Sequence, residues 1–271
     1  MTRYPLGLFV IFDQDLDRRL EAAAGLGLAT VQILAPPLAE RDADRVAKRM
    51  QKAGLQISAV FCGFEGEDYS SIEAVEKSVG LVPPATRAFR LSEAKAISDF
   101  TRALGVEVTA LHLGFIGDDP DLVEATRELC DVCRSNGGRL HLETGQESAE
   151  TLLRFINRVE RDNLAINFDP ANMILYGSGD PISALRLLGP HVKSVHCKDA
   201  VPSTRPGVEW GREVPIGDGD VGFPEFLSVL KEIGYRGPLT IEREISGQQQ
   251  LRDVAQAVER LHKWRSELLE R

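Results

Sequence analysis

"GRLHLETGQESAETLLRFINRVERDNLAINFDPANM", residues 138–173, changes its period twice within one short stretch. Arg139, His141 and Glu143 share one parity and Leu140 and Leu142 the other, the two-residue alternation of a strand. The following "SAETLLRFINRVERDN" places apolar residues three and four apart, as a helix does, before "LAINFD" alternates again. A strand, a covering helix and a second strand within about 30 residues form a βαβ unit, whose two strands must run parallel.

Working outward, the same run-and-helix pattern repeats along the chain. Short apolar runs occur at "LGLFVIF" (6–12), "ATVQIL" (29–34), "QISAVFC" (56–62), "VEVTALHLG" (106–114), "KSVHCK" (193–198) and "PLTIE" (238–242), which with the two above makes eight. Most helical stretches between them end in Gly or Asn, where a left-handed C-cap belongs. Eight such units predict an α/β fold, a single-domain (β/α)8 TIM barrel over residues 1–271. An open doubly wound sheet is the other arrangement of these units. Its first strand normally runs into G-x-G-x-x-G, and here it runs into "DQDLDRRL". The connections over 63–105 and 199–238 are longer than the others and start at strand C-termini, so they are expected to wall a pocket.

Composition narrows the function classes. The 271 residues are 43% hydrophobic and carry a net charge of -9, which argues against nucleic acid or an anionic membrane surface as partner. The run at 6–12 meets Asp13 and Asp15 and reads as a core strand rather than a leader, and no run approaches the roughly 20 apolar residues of a membrane helix. Four cysteines give no disulfide framework. Cys130 and Cys133 form a lone C-x-x-C inside a helical pattern, where packing explains them, and free thiols suit a reducing, cytoplasmic compartment.

Parity also sorts the polar residues of the last four strands. His141 and Glu143, Asn167 and Asp169, Ser194, His196 and Lys198, and Thr240 and Glu242 fall on one face, opposite leucine, isoleucine, phenylalanine, valine and Cys197. Helices cover the apolar parity, so the polar parity points into the barrel. Glu143, Asp169, His196 and Glu242, each at a strand C-terminus, then converge as three carboxylates and an imidazole. Such a set is costly to bury without a cation, and its donors suit one divalent metal ion: Mn²⁺, Mg²⁺, Co²⁺ or Zn²⁺. The competing reading makes Glu143 and Asp169 caps of the helices that follow. Cys197, on the opposite parity from His196, is expected to pack outward, which excludes a Cys-His nucleophilic pair.

The motifs "HLETG", "NFDPANM" followed by "GDPI", "SVHCKDA", "GLVPPATR" and "VPIGDGDVGFPEFLSVLKEIGYRGPLTIERE" resemble the xylose isomerase-like TIM barrel superfamily of sugar phosphate isomerases and epimerases over nearly the whole chain. The resemblance implies that Glu143, Asp169, His196 and Glu242 hold the metal, with Mn²⁺ the leading choice. It implies that Glu143 and Glu242 are the catalytic acid/base pair, moving a proton next to a carbonyl while the metal stabilises an enediolate. Glu244 shares the parity of Glu242 and is an alternative ligand. Ketose 3-epimerases of the superfamily place a substrate-contacting His three residues after the metal Asp, and this chain has Asn172 there. Arg212 is expected to match a loop Arg of the family. Lys198 is expected either at a substrate group or paired with the carboxylates, His112 at the substrate, and His141 in a hydrogen-bonded core role. Trp210 is read as a sugar-stacking ring or a loop anchor, and "GDGD" (217–220) as a turn that brings Asp218 or Asp220 to the pocket rim.

The expected activity is a metal-dependent isomerase or epimerase on a small-molecule carbohydrate. The alternative is a lyase or dehydratase on a keto-cyclitol or 3-keto-glycoside, which begins with the same proton abstraction. A nuclease with a multi-zinc centre would need more than the five histidines present. A scaffold without chemistry would have no use for both glutamates. Barrels of this kind often form homo-oligomers, and the same is expected here.

Overall fold

Each of the eight alternating runs forms a parallel strand. The computed structural model describes residues 4–269. Its strands β1 (Leu6–Val10), β2 (Thr30–Leu34), β3 (Gln56–Phe61), β4 (Val108–Leu111), β5 (Arg139–Glu143), β6 (Leu164–Phe168) and β7 (Val192–Cys197) precede a short antiparallel ribbon of β8 (Asp199–Val201) and β9 (Arg212–Val214). The last strand, β10 (Leu239–Ile241), pairs with both β1 and β7 and closes the barrel in the order β1-β10-β7-β6-β5-β4-β3-β2. The fold is a (β/α)8 TIM barrel, and no G-x-G-x-x-G sheet of the doubly wound kind is formed.

The helix expected over "SAETLLRFINRVERDN" forms as α6 (Ala149–Val159); the others are α1 (Leu16–Gly25), α2 (Ala43–Lys52), α3 (Ile72–Ser78), α4 (Pro84–Ala103), α5 (Pro120–Ser135), α7 (Pro170–Tyr176), α8 (Pro181–Leu188), α9 (Phe223–Glu232) and α10 (Gly247–Leu269). Their ends are chemically simple. Gly27, at φ +70, donates to Ala24 O while Leu28 donates to Ala23 O, the paired bonds that terminate a helix through a left-handed glycine. The same pair of bonds closes α2, α4, α5 and α9.

The main apolar core lies between strands and helices. Leu6, Leu8 and Val10 of β1, Val31 and Ile33 of β2, and Leu140 and Leu142 of β5 all enter it. Each such side chain contributes roughly 1.5–3 kcal/mol on burial, so this layer rather than the barrel interior supplies most of the stability. The interior is narrow at its base. A Cβ on Gly7 would sit 2.5 Å from Thr30 Oγ1, which is why β1 carries no side chain there. Among the described residues no helix is long and apolar enough to cross a membrane.

Candidate active site and metal centre

Strand parity delivers the site. Glu143 ends β5, His196 lies on β7, and Asp169 and Glu242 directly follow β6 and β10. One ligand atom from each lies within 4.8 Å of the others, and all four residues are buried. His196 Nδ1 is 2.7 Å from Glu143 Oε1, 3.2 Å from Glu242 Oε2 and 3.6 Å from Asp169 Oδ2.

Asp169 combines the two roles that the sequence left as alternatives. Its Oδ1 caps α7, accepting from the backbone N–H of Ala171 at 2.8 Å and Asn172 at 3.0 Å. Its Oδ2 is fully buried and has no hydrogen-bond partner among the described residues. A buried carboxylate oxygen without a partner is expensive, and this one points at the same imidazole nitrogen as the two glutamates. The residues therefore fit a divalent cation, with three carboxylates and one imidazole as oxygen and nitrogen donors. Glu143 caps nothing, since Ser148 caps α6 through Thr151 N.

The other face of the imidazole shows how it is aimed. Gln32 Oε1 lies 2.6 Å from His196 Nε2, and Gln32 Nε2 reaches Asn167 Oδ1 at 3.4 Å. With the Gln32 amide oxygen on Nε2, Nδ1 is the ring nitrogen turned toward the three carboxylates. This is the outer support that metal-binding histidines need. Phe9 and Phe61 pack on the ring with centroids 5.4 and 5.3 Å away. Gln32 was missed in the sequence. Its signal was a lone polar residue at an inward position of "TVQIL".

The electrostatics express the same demand for positive charge. Burial pushes the His196 imidazole down, but the charges of Glu242 and Glu143 outweigh it and hold it well above its ordinary value. Burial also opposes ionisation of Glu143, yet the charges and hydrogen bonds of His112 and His196 keep its carboxyl below the usual range. Glu242 goes the other way, because burial exceeds the pull of Lys198 and His196.

His112, just beyond β4, lies 3.0 Å from Glu143 Oε2 through Nε2, and its Nδ1 is 3.1 Å from the Gln146 side-chain amide. Burial lowers its pKa, and the Glu143 charge and hydrogen bond more than reverse this, to about 9. Lys198 is buried. Its Nζ donates to Glu244 Oε1 at 2.6 Å, Asn172 Oδ1 at 3.0 Å and Glu242 Oε2 at 3.3 Å. It is paired with carboxylates on every side. Asn172 ties this lysine to the backbone of Thr144 through a 3.3 Å bond from Nδ2.

Above the cluster opens a cavity of about 570 Å³, with Glu143, Glu242, His112 and Asn172 at its floor. Phe9, Leu34 and Phe61 from β1 to β3 and Leu175 from α7 are its apolar lining. Both long connections contribute, Glu67 and Tyr69 from the first and Trp210 and Glu213 from the second. Trp210 packs on Tyr176 with ring centroids 4.5 Å apart, so it is anchored as well as facing the cavity.

Two sequence expectations require correction. Arg212 is exposed and does not line the cavity; its neighbour Glu213 does, because β9 alternates and turns Arg212 away. The "GDGD" turn does not bring its acids to the rim. Asp218 pairs with Arg260 at 2.7 Å, and Gly217, Gly219 and Val221 wrap their N–H groups around the buried carboxylate of Asp199. His141 takes the core role, 2.8 Å from Ser194 Oγ, and Cys197 is buried on the opposite parity from His196.

Comparison with known proteins agrees with this architecture. A family model described as xylose isomerase-like TIM barrel matches residues 20–264. A xylose isomerase domain protein from Planctomyces limnophilus superposes with a TM-score of 0.96 and 45% identity, covering 100% of both chains. The structure of an L-ribulose 3-epimerase superposes with a TM-score of 0.74 at 18% identity, covering 100% of this chain and 96% of its own, a likeness of fold. An inosose dehydratase from Lacticaseibacillus casei is 25% identical over 115 residues, 38% of each protein. Matches to curated relatives span about half of their length or less. From the matched span and the full-length likeness at 45% identity, the chain belongs to the xylose isomerase-like TIM barrel family.

Proposed function

We propose that the chain, as one domain over residues 1–271, is a divalent-metal-dependent isomerase or epimerase of sugars or keto-sugars. The observation that carries this reading is the unpartnered Asp169 Oδ2, buried beside Glu143, His196 and Glu242. These four residues would hold the ion, with Mn²⁺ the leading choice. A cation there supplies polarisation of a substrate carbonyl and hydroxyl. The chain's own groups do the rest. Glu143 and Glu242 present carboxylates to a substrate lying on the cavity floor, so one takes the proton from the carbon next to the carbonyl and the other returns it. Return to the opposite face of that carbon epimerises; return to the neighbouring carbon isomerises. His112 holds Glu143, and Lys198 holds Glu242 from beneath. His112 and Asn172 also line the cavity and are positioned to meet substrate hydroxyls, whereas Arg212 is not.

A second reading keeps the proton abstraction and ends in loss of a β-substituent. The inosose dehydratase likeness favours it. Metal analysis of the purified protein, EDTA treatment, and NMR of keto-sugar and keto-cyclitol panels in D₂O test both. Exchange with an epimerised or isomerised product supports the first reading, and an enone or a released group supports the second. A metal-free protein with activity indifferent to EDTA would sink both. The four cysteines are free and buried, which supports a reducing compartment such as the cytoplasm.

A further inference from the structure

The geometry points to a substrate without a phosphate or carboxylate, a neutral polyhydroxy carbonyl compound. This rests on the proton-transfer reading above and narrows its substrate class.

The first observation is the balance of charge around the cavity. Glu67, Glu143, Glu213, Glu242 and Glu244 line it; among the described residues the basic side chain on the lining is His112, held 3.0 Å from Glu143 Oε2, with no lysine or arginine beside it. The two cations behind these carboxylates are already engaged. Lys198 sits among Glu242, Glu244 and Asp169, and Arg243 Nη1 is 3.0 Å from Glu213 Oε2 with its Nε 2.8 Å from Asp253. A divalent ion at the metal centre still leaves carboxylates in excess. A phosphate monoester carries nearly two negative charges at neutral pH and is recognised by unpaired Arg or Lys forks or by free backbone N–H groups. It would meet repulsion from this excess of carboxylates, with the His112 imidazole already held by Glu143.

The second observation is independent of that balance. A barrel of this kind can hold phosphate on N–H groups in the loops after its last strands or at a helix N-terminus. Two such sets of N–H groups near the site are taken by the chain's own carboxylates. In the glycine-rich turn after β9, the N–H groups of Gly217, at 2.8 Å, and Gly219, at 3.1 Å, donate to Oδ2 of Asp199 on β8, whose Oδ1 accepts from Ala200 N at 2.9 Å and Val221 N at 3.2 Å. Asp199 is only 1% exposed, so this cradle is occupied by an internal anion. At the N-terminus of α7 the N–H groups of Ala171 and Asn172 are taken by Asp169 Oδ1. What the cavity does offer suits hydroxyls and C–H faces: carboxylate acceptors together with the apolar surfaces of Phe9, Phe61, Leu34 and Trp210.

Isothermal titration of the Mg²⁺-loaded full chain with matched pairs, each a free ketopentose or ketohexose and its terminal phosphate ester, reads the preference directly. Inorganic phosphate serves as a competitor. The expected result is that the free sugar binds at least about tenfold more tightly than its ester and that phosphate does not displace it. In Glu244→Gln, whose side chain is largely exposed, Lys198 loses one carboxylate and the gap narrows several-fold. Equal or tighter binding of the ester, or displacement of the sugar by phosphate, overturns the inference. Proton exchange in D₂O on the same pairs separates this from the reading beneath it. Tight free-sugar binding without exchange defeats proton transfer and keeps the preference, while exchange on the ester with preferential ester binding does the reverse.

Discussion

The two halves of the barrel are built alike and filled differently. In β1 to β4 the inward positions hold Phe9, Leu34, Ala59, Phe61, Val108 and Ala110, a small apolar cluster of their own. In β5, β6, β7 and β10 the inward positions hold His141, Glu143, Asn167, Ser194, His196 and Thr240, continued by Asp169 and Glu242. Helices cover both halves through the same apolar parity. The outward residues thus build the barrel, and the inward ones are free to diverge into a dry wall on one side and an ionic floor on the other. Gln32 of β2 crosses over to His196 and Asn167, and His112, just beyond β4, to Glu143.

The sharpest way to break this contrast is to empty the ionic half of its nitrogen ligand. His196→Ala should abolish stoichiometric metal binding, read by elemental analysis, and take exchange activity to background. Glu242→Gln is expected to leave the fold intact and lower proton exchange by about 10²–10⁴-fold, the usual contribution of a positioned acid or base, measured by NMR in D₂O. An undiminished exchange rate would remove Glu242 from the acid/base role. On the apolar side, Phe61→Ala should cost about 3–5 kcal/mol in chemical denaturation while one metal still binds per chain. Loss of metal with unchanged stability would show that the two halves are not separable in this way. The smallest effect sharpens the boundary. Gln32→Leu removes the amide that faces His196 Nε2 and is predicted to weaken metal affinity about 10–100-fold in a competition assay with a fluorescent chelator.

The sequence made the two halves unequally legible. Alternation along each strand is a local property, so parity alone set Glu143, Asp169, His196 and Glu242 on one interior without knowledge of the strand order. Gln32 escaped because its meaning depends on what stands across the barrel, 164 positions away in the chain. Asp169 was read as ligand or cap because one oxygen was imagined where two act separately. The ribbon of β8 and β9 was not foreseen, since strands of three residues carry too little alternation to register. Without it, Arg212 and Glu213 could not be assigned to opposite faces, and a one-residue difference of parity reverses which of them meets the cavity. The "GDGD" turn misled for a related reason. Its glycines advertise backbone N–H groups, and the residue that consumes them, Asp199, lies about twenty positions earlier.

The Gln32 crossing also bears on whether this barrel can be cut. A fragment beginning at β5 would contain all four side chains proposed to hold the metal, yet it would lack the amide that faces Nε2 of His196. Split between β4 and β5, the chain would therefore yield one piece with a full set of donors and no amide behind the imidazole. Reassociation with the first piece would restore that support, so metal affinity itself would report on complementation of the two fragments.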